Sequence, residues 1–431
     1  MVGDNNLYIA FRILCRLLEI RMADYEHIIV GAGLSGMSCA IELAKRGRSF
    51  KIFEASDAVG GRVRTDVING FRLDRGFQVL LTAYPESKRV LDYDQLELQK
   101  FKSGALIRYG GEFCRVSDVV KHPFDLPGNL YSKAASLADK LKIASLRNEV
   151  GKLSISEIAE SDNVTTRQRL QQFGFSEKII KSFFKPFFGG VFLESDLSTS
   201  RRMFDFVFKM FAEGDVVLPR LGMGQISEQM ASLLPAGSIQ LNSPVQSVAA
   251  DAVTLATGQT VTGDKIIVAT DQNTARKIKG RDGVQSCGVT CLYFQAKKSP
   301  INEAILVLNG DETDGPINNI CAPSDVSDAY APAGSSLISV SVIGCSDDQQ
   351  LEAKVLGQAK EWYGAQVDDW QHVRSYRIEH ALPVQSCDDL SPVEQSQEPV
   401  DGVHFCGDYQ NYASIHGAMA SGGKLAAMLT A

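Results

Sequence analysis

Apolar positions change their period twice in the first part of the chain. His27-Ile28-Ile29-Val30 is a short apolar run of the kind that forms a buried strand. Phe50 to Phe53 is a second such run. Between them, from Leu34 to Arg46, apolar side chains recur three or four positions apart, as one buried face of a helix requires: Leu34, Met37, Ile41 and Ala44. The pattern therefore predicts a strand, a helix and a second strand in that order.

Three glycines occupy the turn between the first predicted strand and the helix. Gly31 suits a tight turn, Gly33 lets the backbone approach a pyrophosphate, and Gly36 lets the helix pack closely on the strand. Glu54 follows Gly36 by 18 residues, the spacing at which an acid accepts hydrogen bonds from ribose hydroxyls. The pattern predicts a dinucleotide site. Because a carboxylate repels a 2′-phosphate, it favours FAD or NAD over NADP.

A second glycine pair comes soon after this acid, in Gly60-Gly61-Arg62. Alone, these residues would suit a solvated turn. Close to the first glycine turn, they can form a second loop around the same pyrophosphate, with Arg62 donating charge-assisted hydrogen bonds. With this segment the chain resembles the FAD-dependent amine oxidase superfamily, which includes flavin amine oxidases, carotenoid-type desaturases and protoporphyrinogen oxidases.

The resemblance extends to later segments. Val403–Asp408 is similar to the family strand that ends in Gly-Asp, and Ser414–Gly423 to the start of the helix that faces the isoalloxazine ring. Ser243–Val248 is similar to the strand that holds adenine, and Lys265–Asp271 to the strand that closes the FAD domain. The residues that the resemblance implies for non-covalent FAD binding are Gly31, Gly33, Leu34, Ser35, Gly36, Glu54, Ala55, Gly60, Gly61, Arg62, Gly76, Phe77, Gln78, Val245, Ala269, Thr270, Gly407, Asp408, Ile415, His416 and Ala418.

The resemblance implies an α/β fold, with a split, Rossmann-like FAD-binding domain of the glutathione-reductase type and an inserted α+β substrate domain. We expect the FAD-binding domain to comprise residues 24–85, 215–280 and 398–431. Residues 86–214, which we predict to be mostly helical, and 281–397, which alternate in strands, would form the substrate domain. The length of 431 residues agrees with two domains. Further predicted elements are helices over Gln225–Leu234 and Asp347–Tyr363, strands over Val289–Gln295 and Ser336–Ile343, and a loop over Pro383–Pro399.

The segment from Phe173 to Phe211 is dense in phenylalanine. Such a segment forms either the core of a helical domain or the wall of an apolar substrate tunnel, with a membrane-dipping surface as a further alternative. Within it, the segment Lys185–Phe192 resembles the desaturase-type members of the superfamily more than it resembles the amine oxidases.

Two positions depart from the amine oxidases. Thr290 stands where many of them carry a Lys near flavin N5, and Ser414 where they carry an aromatic side chain. His416 lies at the predicted start of the last helix, where an imidazole can act as a base, tune the flavin electrostatically or simply form a structural hydrogen bond. Thr290 and His416 are the candidate catalytic residues.

Composition and net charge restrict the kinds of molecule that the protein is expected to bind. The net charge of −7 argues against a nucleic-acid groove. Nine cysteines and six histidines are scattered without metal-site spacing, so we predict no metal site, no disulfide framework and a reducing, cytoplasmic location. For Cys406, beside the flavin segment, we expect a buried strand end rather than a covalent flavin link. The partner would be a small, apolar molecule, with peripheral membrane contact left open.

The first 22 residues contain an amphipathic run, Leu7–Ile20, with Arg12 and Arg16. A membrane-surface helix, an organelle transit peptide and an extension upstream of a start at Met22 all fit it. We favour the extension, because the dinucleotide strand follows so soon after Met22.

The sequence thus predicts an FAD-dependent oxidoreductase that transfers hydride from a substrate C–H bond to flavin N5, with a desaturase-like preference for an apolar substrate. The alternative within the family is a flavin amine oxidase that produces an imine and H₂O₂. The alternative of another class is a non-catalytic, FAD-binding interaction protein.

Overall fold

The computed structural model of the protein describes residues 23–116, 134–311, 315–390 and 393–431. The strands are β1 (Tyr25–Val30), β2 (Phe50–Phe53), β3 (Thr65–Ile68), β4 (Phe71–Asp74), β5 (Leu80–Leu81), β6 (Gln99–Lys100), β7 (Ala105–Tyr109), β8 (Glu112–Val116), β9 (Val216–Leu218), β10 (Ile239–Gln240), β11 (Val245–Val248), β12 (Ala252–Leu255), β13 (Thr260–Val268), β14 (Ser286–Ala296), β15 (Leu306–Asn309), β16 (Asn319–Cys321), β17 (Ser336–Ile343), β18 (Gln371–Pro383) and β19 (Val403–Phe405).

The α-helices are α1 (Leu34–Lys45), α2 (Pro85–Val90), α3 (Leu137–Lys152), α4 (Ile155–Glu160), α5 (Thr166–Gln172), α6 (Glu177–Ile179), α7 (Lys185–Phe192), α8 (Arg201–Glu213), α9 (Gly224–Ser232), α10 (Gln272–Ile278), α11 (Pro323–Val326), α12 (Leu351–Tyr363) and α13 (Ile415–Leu429). A π-helical stretch, Ile180–Phe184, joins α6 to α7. Short 3₁₀ segments cover Asp328–Tyr330, Gly364–Asp369 and Asp408–Gln410.

The first large sheet has the order β10-β2-β1-β13-β12-β11, with β19 also paired to β13. Strands β10, β2, β1, β13 and β19 are parallel, whereas β12 and β11 are antiparallel. The strands β1 and β2 are largely buried, because one face packs on α1 and the other on β12 and α10. In an open parallel sheet ligands bind beyond the carboxyl ends of the strands. The predicted glycine turn follows β1 at that edge.

The second large sheet has the order β18-β14-β17-β16-β15-β7-β8. It is antiparallel except for the β15–β7 pair. The hairpin β7–β8 lies inside residues 86–214, so the prediction of a mostly helical segment there missed it. Its strands are short and joined by the Gly110-Gly111 turn, which gives only a weak periodic signal.

Two predicted elements have the expected bounds, and others differ by one to four residues. β2 and β17 begin and end at the predicted residues, and α1 ends one residue earlier than predicted, at Lys45. β14 is longer than predicted at both ends, and α12 begins four residues later than the predicted Asp347. The mixed α/β fold class is confirmed. The predictions for residues 1–22 lie outside the described residues.

The first and last helices cross at a point of backbone contact. A Cβ atom on Gly422 of α13 would lie inside van der Waals distance of the Ser35 carbonyl oxygen in α1. Ser38 Oγ on α1 donates to Met419 O on α13 at 2.8 Å. The crossing therefore fixes the C-terminal helix against the glycine turn. Among the described helices, none combines the length and apolarity needed to span a membrane.

We predict that Gly422→Ala destabilises the protein by roughly 1–3 kcal/mol, because the helices must separate to admit the methyl group. Gly357→Ala in α12 is the matched control, since nothing lies within 4 Å of its Cβ position. That control should be neutral or stabilising, because alanine favours a helix interior. Urea unfolding of both variants checks the prediction. Equal midpoints for the two variants would contradict the crossing as described.

Candidate functional site

The first glycine turn leaves free backbone donors at the start of α1. Gly31 has φ +105°, which favours glycine. Gly33 is the N-cap of α1 and has no side-chain cap, so the first N–H groups of the helix lack an internal acceptor. Nothing lies within 4 Å of a Cβ placed on Gly33, whereas one on Gly36 would collide with the Gly31 carbonyl oxygen. Gly33 faces open space, and Gly36 keeps the turn compact.

The second glycine loop lies directly beside the first. Gly60 N donates to Ala32 O at 2.8 Å, and Gly60 forms a parallel bridge with Gly33. Gly60 has φ +110°, and a Cβ there would collide with Val63 O and Ser227. The two loops therefore form one continuous backbone surface at the carboxyl edge of the parallel sheet.

Glu54 links the end of β2 to the first glycine turn. Its Oε2 accepts from Ala32 N at 2.7 Å, and its Oε1 accepts from Ser56 N at 2.9 Å and Ser56 Oγ at 2.6 Å. A carboxylate has about four acceptor positions, so capacity for a further donor remains. Glu54 is buried in the protein but lines the cavity described below.

Arg62 connects the second glycine loop to the C-terminal part of the chain. Its Nη2 donates to Asp408 Oδ1 at 2.8 Å, and its Nη1 donates to Ala381 O at 2.7 Å. Asp408 is almost fully buried, whereas the Arg62 side chain is 32% exposed, so solvent screens the ion pair only in part. The pair holds the Gly407-Asp408 segment next to the glycine loops.

A single cavity of about 790 Å³ collects the predicted cofactor residues. All of them line it except Gly36, which packs against the turn, and His416. The start of α13 reaches the cavity through Ile415 and Ala418, with Ser414 Oγ capping the helix at Gly417 N, 3.1 Å away. The structure thus brings together segments that lie far apart in the sequence.

His416 points into an aromatic cluster and does not line the cavity. Its ring stacks on Tyr84 at 5.9 Å between centroids and lies 5.4 Å from the Phe206 ring. Its Nδ1 accepts weakly from Glu86 N at 3.4 Å. Burial lowers the pKa of His416, which favours the neutral ring. These contacts agree with a structural hydrogen bond, which is one of the three roles that the sequence allows for His416. We assign His416 no contact with a ligand.

Thr290 also faces away from the cavity. Its Oγ1 donates to Gly344 O at 2.9 Å, and its neighbour Val289 lines the cavity instead. β14 pairs with β18 through a register shift between Cys287 and Val289, which alters the alternation there. Because strand side chains alternate between faces, an alignment wrong by one position selects the wrong face. Thr290 therefore lies on the face of the strand turned away from the cavity.

A buried carboxylate precedes the cavity-lining segment Gly76–Gln78. Asp74 accepts from Thr65 Oγ1 at 2.5 Å, Met223 N at 2.9 Å and Tyr330 OH at 2.7 Å. Its carbonyl oxygen accepts from Tyr293 OH at 2.9 Å. Burial raises the pKa of Asp74 to about 6, against these hydrogen bonds, which lower it. Asp74 thus joins β3, α9 and the second sheet behind the cavity wall.

The phenylalanine-rich segment divides between core and cavity, so both alternatives apply to different members. Phe184, Phe204 and Phe206 are fully buried and lie outside the cavity lining. The members that line the cavity are Phe183, Phe187, Phe188, Phe208 and Phe211. The π-helical stretch Ile180–Phe184 changes the angular position of successive side chains. The helical wall therefore presents aromatic rings to the cavity and to the core at once.

Some lining residues were missed by the sequence reasoning. Asn319 and Ser341 reach the cavity from the second sheet, and Tyr84 from the start of α2. The face of α3 that lines the cavity carries Lys140, Ile143, Ala144 and Arg147. The helical spacing of these residues can be recognised in the sequence, but nothing in the sequence indicates that they contact a ligand.

The residues present fit the cofactor that the resemblance implies. The uncapped N-terminus of α1 and the open space at Gly33 suit a pyrophosphate, which partial positive charge and free N–H groups attract. Glu54 keeps acceptor capacity for hydroxyl groups, and Arg62 provides a cation beside them. No added side chain or large movement is needed to admit such a group.

Comparison with known proteins agrees with this geometry. The sequence model of the family described as flavin containing amine oxidoreductase matches residues 34–429. Protoporphyrinogen oxidase 2, chloroplastic/mitochondrial, from Arabidopsis thaliana is 30% identical over 169 residues, which are 38% of this chain and 31% of that protein. The 4,4'-diapolycopene oxygenase of Methylomonas sp is 29% identical over 140 residues, 29% of this chain and 27% of that protein.

These matches span less than a third of the length of both curated relatives. Among solved structures, a putrescine oxidase with bound putrescine superposes with a TM-score of 0.70 at 19% identity. The superposition covers 94% of this chain and 98% of the putrescine oxidase chain. At that identity the likeness concerns the fold.

We predict that Gly33→Val yields a folded protein without flavin. Gly33 has extended backbone angles and open space around its Cβ position, so the fold tolerates the side chain. The same side chain fills the space at the helix N-terminus where the pyrophosphate would lie. The ratio of flavin to protein absorbance and the unfolding temperature of the flavin-free protein are the measurements. Full flavin content in this variant would refute the assignment of the glycine turn.

We predict that Asp74 makes stability fall as pH rises. Because burial raises its pKa from 3.8 to about 6, the folded protein keeps a proton between those values that the unfolded chain releases. The free energy of unfolding of the wild type, relative to Asp74→Asn, should fall by about 2 kcal/mol between pH 4 and pH 7. Asp57→Asn is the control, since Arg64 lowers the pKa of that exposed carboxyl and places its titration below this window. Parallel curves for the wild type and Asp74→Asn would contradict the prediction.

Proposed function

The chain belongs to the flavin containing amine oxidoreductase family, FAD is its cofactor, and we propose that it works as an oxidoreductase on an apolar substrate. The reaction would remove hydride from a substrate C–H bond, as in a desaturase. The observation that supports this choice is the row of phenylalanine rings along one wall of the cavity. Large apolar walls with few polar groups suit lipid-like ligands.

The FAD-binding residues in this proposal are those that line the cavity at the carboxyl edge of the first sheet. The glycine turn at Gly31–Gly33 and Arg62 would hold the pyrophosphate, and Glu54 the ribose. Asp408 would hold the ribityl chain, with Ile415 and Ala418 against the ring. We propose non-covalent binding. The division into an FAD-binding domain of residues 24–85, 215–280 and 398–431 and a substrate domain of residues 86–214 and 281–397 belongs to the same proposal.

When bound, FAD supplies an acceptor for two electrons and a proton at N5. The chain's own residues orient the substrate and keep water away from it, because the phenylalanine wall offers no hydrogen bonds. Neither His416 nor Thr290 lines the cavity. The proposal therefore gives neither residue a proton-transfer step.

Amine oxidation is the competing activity, since the superposed putrescine oxidase shares the fold. Two of the curated relatives are named for protoporphyrinogen and 4,4'-diapolycopene, and another, 24% identical, is a putrescine oxidase. Among the described lining residues, all from the substrate domain are apolar, neutral polar or basic. A protonated amine therefore meets no carboxylate on that side of the cavity, and this favours the apolar substrate.

We predict that anaerobic mixing with an apolar polyene or other isoprenoid bleaches the oxidised flavin, whereas putrescine and simple alkylamines do not. The flavin absorbance during mixing is the measurement. Bleaching by amines alone would replace the proposal with amine oxidation. A flavin that dithionite reduces but no substrate class reduces would support the non-catalytic alternative.

Substituting the phenylalanine wall separates substrate binding from cofactor binding. Phe187→Ser should raise the KM for the apolar substrate about tenfold or more, because a large apolar contact is lost, while flavin content is kept. Phe173→Ser is the matched control, since Phe173 stacks on Phe175 outside the cavity lining. Equal effects on KM would exclude the wall as the substrate site.

A further inference from the structure

The carboxylates that line the cavity lie on one side of it, whereas lining cations occur on both sides. The carboxylates Glu54, Asp271 and Asp408 all belong to segments of the glycine-turn side. Each is already held: Glu54 by Ala32 N and Ser56, Asp271 as the N-cap of α10, and Asp408 by Arg62. The described lining residues of the opposite side include no carboxylate. They include the cations Lys102, Lys140 and Arg147.

Two of these cations lie on one face of α3. Lys140 and Arg147 are seven positions apart and share the cavity face with Ile143 and Ala144. Arg147 donates to a neutral acceptor, the carbonyl oxygen of Ala212, at 2.7 Å. Lys102 forms an ion pair with Glu303 at 3.1 Å and is largely exposed. Lys140 differs from both.

The Lys140 ammonium is buried without a partner. Its residue is 8% exposed, and no acceptor of the described residues lies within hydrogen-bond distance of Nζ. A buried, unpaired ammonium is costly, and burial lowers the pKa of Lys140 accordingly. A lysine with a purely structural role would find a carbonyl or carboxylate, as Lys209 does with Gly151 O at 3.1 Å. The missing acceptor on the cavity side indicates that a ligand supplies it.

The apolar residues around Lys140 indicate that the ligand also has an apolar part. Ile143, Phe183 and Phe187 line the same cavity. A small inorganic anion would leave this apolar surface in contact with water. A long apolar molecule with one charged end would cover the surface and meet Lys140 together.

We propose that the substrate is an apolar molecule that ends in an oxyanion, a carboxylate or a phosphate, and that Lys140 binds this group with Arg147 beside it. This rests on the proposed function, since it assumes that the cavity next to the FAD site receives the substrate. Lys140 is a specificity-determining residue here, and no step of the reaction is assigned to it. An alkylammonium ion would meet cations in the same place and bind worst.

The test uses the FAD-loaded protein and four ligands with the same twelve-carbon chain: dodecanoate, dodecyl phosphate, dodecanol and dodecylamine, each below its micelle concentration. Binding is measured by calorimetry and by the shift in the flavin spectrum. We expect dodecanoate or dodecyl phosphate to bind about ten- to a hundredfold more tightly than dodecanol, and dodecylamine to bind most weakly. The tighter of the two anions identifies the carboxylate or the phosphate as the group.

Lys140→Gln tests the residue. It should bring the affinity for the anions down to that for dodecanol, while the ligand-free protein stays as stable as the wild type or becomes more stable. A structural lysine would instead lose stability. Lys152→Gln, at the exposed end of the same helix, is the matched control and should keep the preference. Equal binding of all four ligands, tightest binding of dodecylamine, or an unchanged preference in Lys140→Gln would overturn the proposal.

The two proposals fail separately. If the anions bind selectively but no apolar compound reduces the flavin, the oxyanion site stands and the proposed oxidation fails. If neutral isoprenoids reduce the flavin and charge has no effect on binding, the oxidation stands and the oxyanion site fails.

Discussion

Close approach of backbone to backbone at the carboxyl edge of the parallel sheet is the constraint on which the site depends. Gly31, Gly36 and Gly60 each stand where a Cβ atom would press on a neighbouring carbonyl group. Gly422 repeats this condition where the last helix crosses the first. Only with these contacts can the N-terminus of α1 and the second loop present N–H groups on one surface. The chain uses glycine here to bring donors together, at the cost of greater freedom in the unfolded state.

The parts of the site that the sequence predicts well are those with local backbone causes. The strand, the glycine turn, α1 and Glu54 follow one another within a single unit, so spacing alone specifies their geometry. Thr290 shows the limit of such reasoning: a register shift in β14 cannot be read from alternation, and one position decides which face a side chain occupies. The hairpin β7–β8 was missed because its short strands give little periodic signal. His416 was placed on the correct helix, but its partners Tyr84 and Phe206 come from elsewhere in the chain. Lys140 could not be recognised, because a missing acceptor becomes visible only after folding.

The cavity combines two environments that favour different groups. On one side, backbone donors and paired carboxylates make a polar surface that suits a nucleotide. On the other side, aromatic rings and the Lys140 ammonium suit an apolar molecule with a negative end. Asp74 lies behind the cavity wall. It accepts three hydrogen bonds, which connect β3, the start of α9 and the segment that contains Tyr330. A buried carboxylate satisfied in this way orders several segments at once, although its burial costs free energy at neutral pH.

The Arg62–Asp408 ion pair joins residues that are 346 positions apart. Strand β19, which completes the parallel sheet beside β13, comes from the same late part of the chain. During synthesis the N-terminal glycine turn therefore leaves the ribosome long before the segment that closes the site. Contacts of such high sequence separation form slowly, and the edge of β13 stays unpaired until they do. The flavin site is therefore complete only after Asp408 and the start of α13 have been synthesised and have docked against the glycine loops.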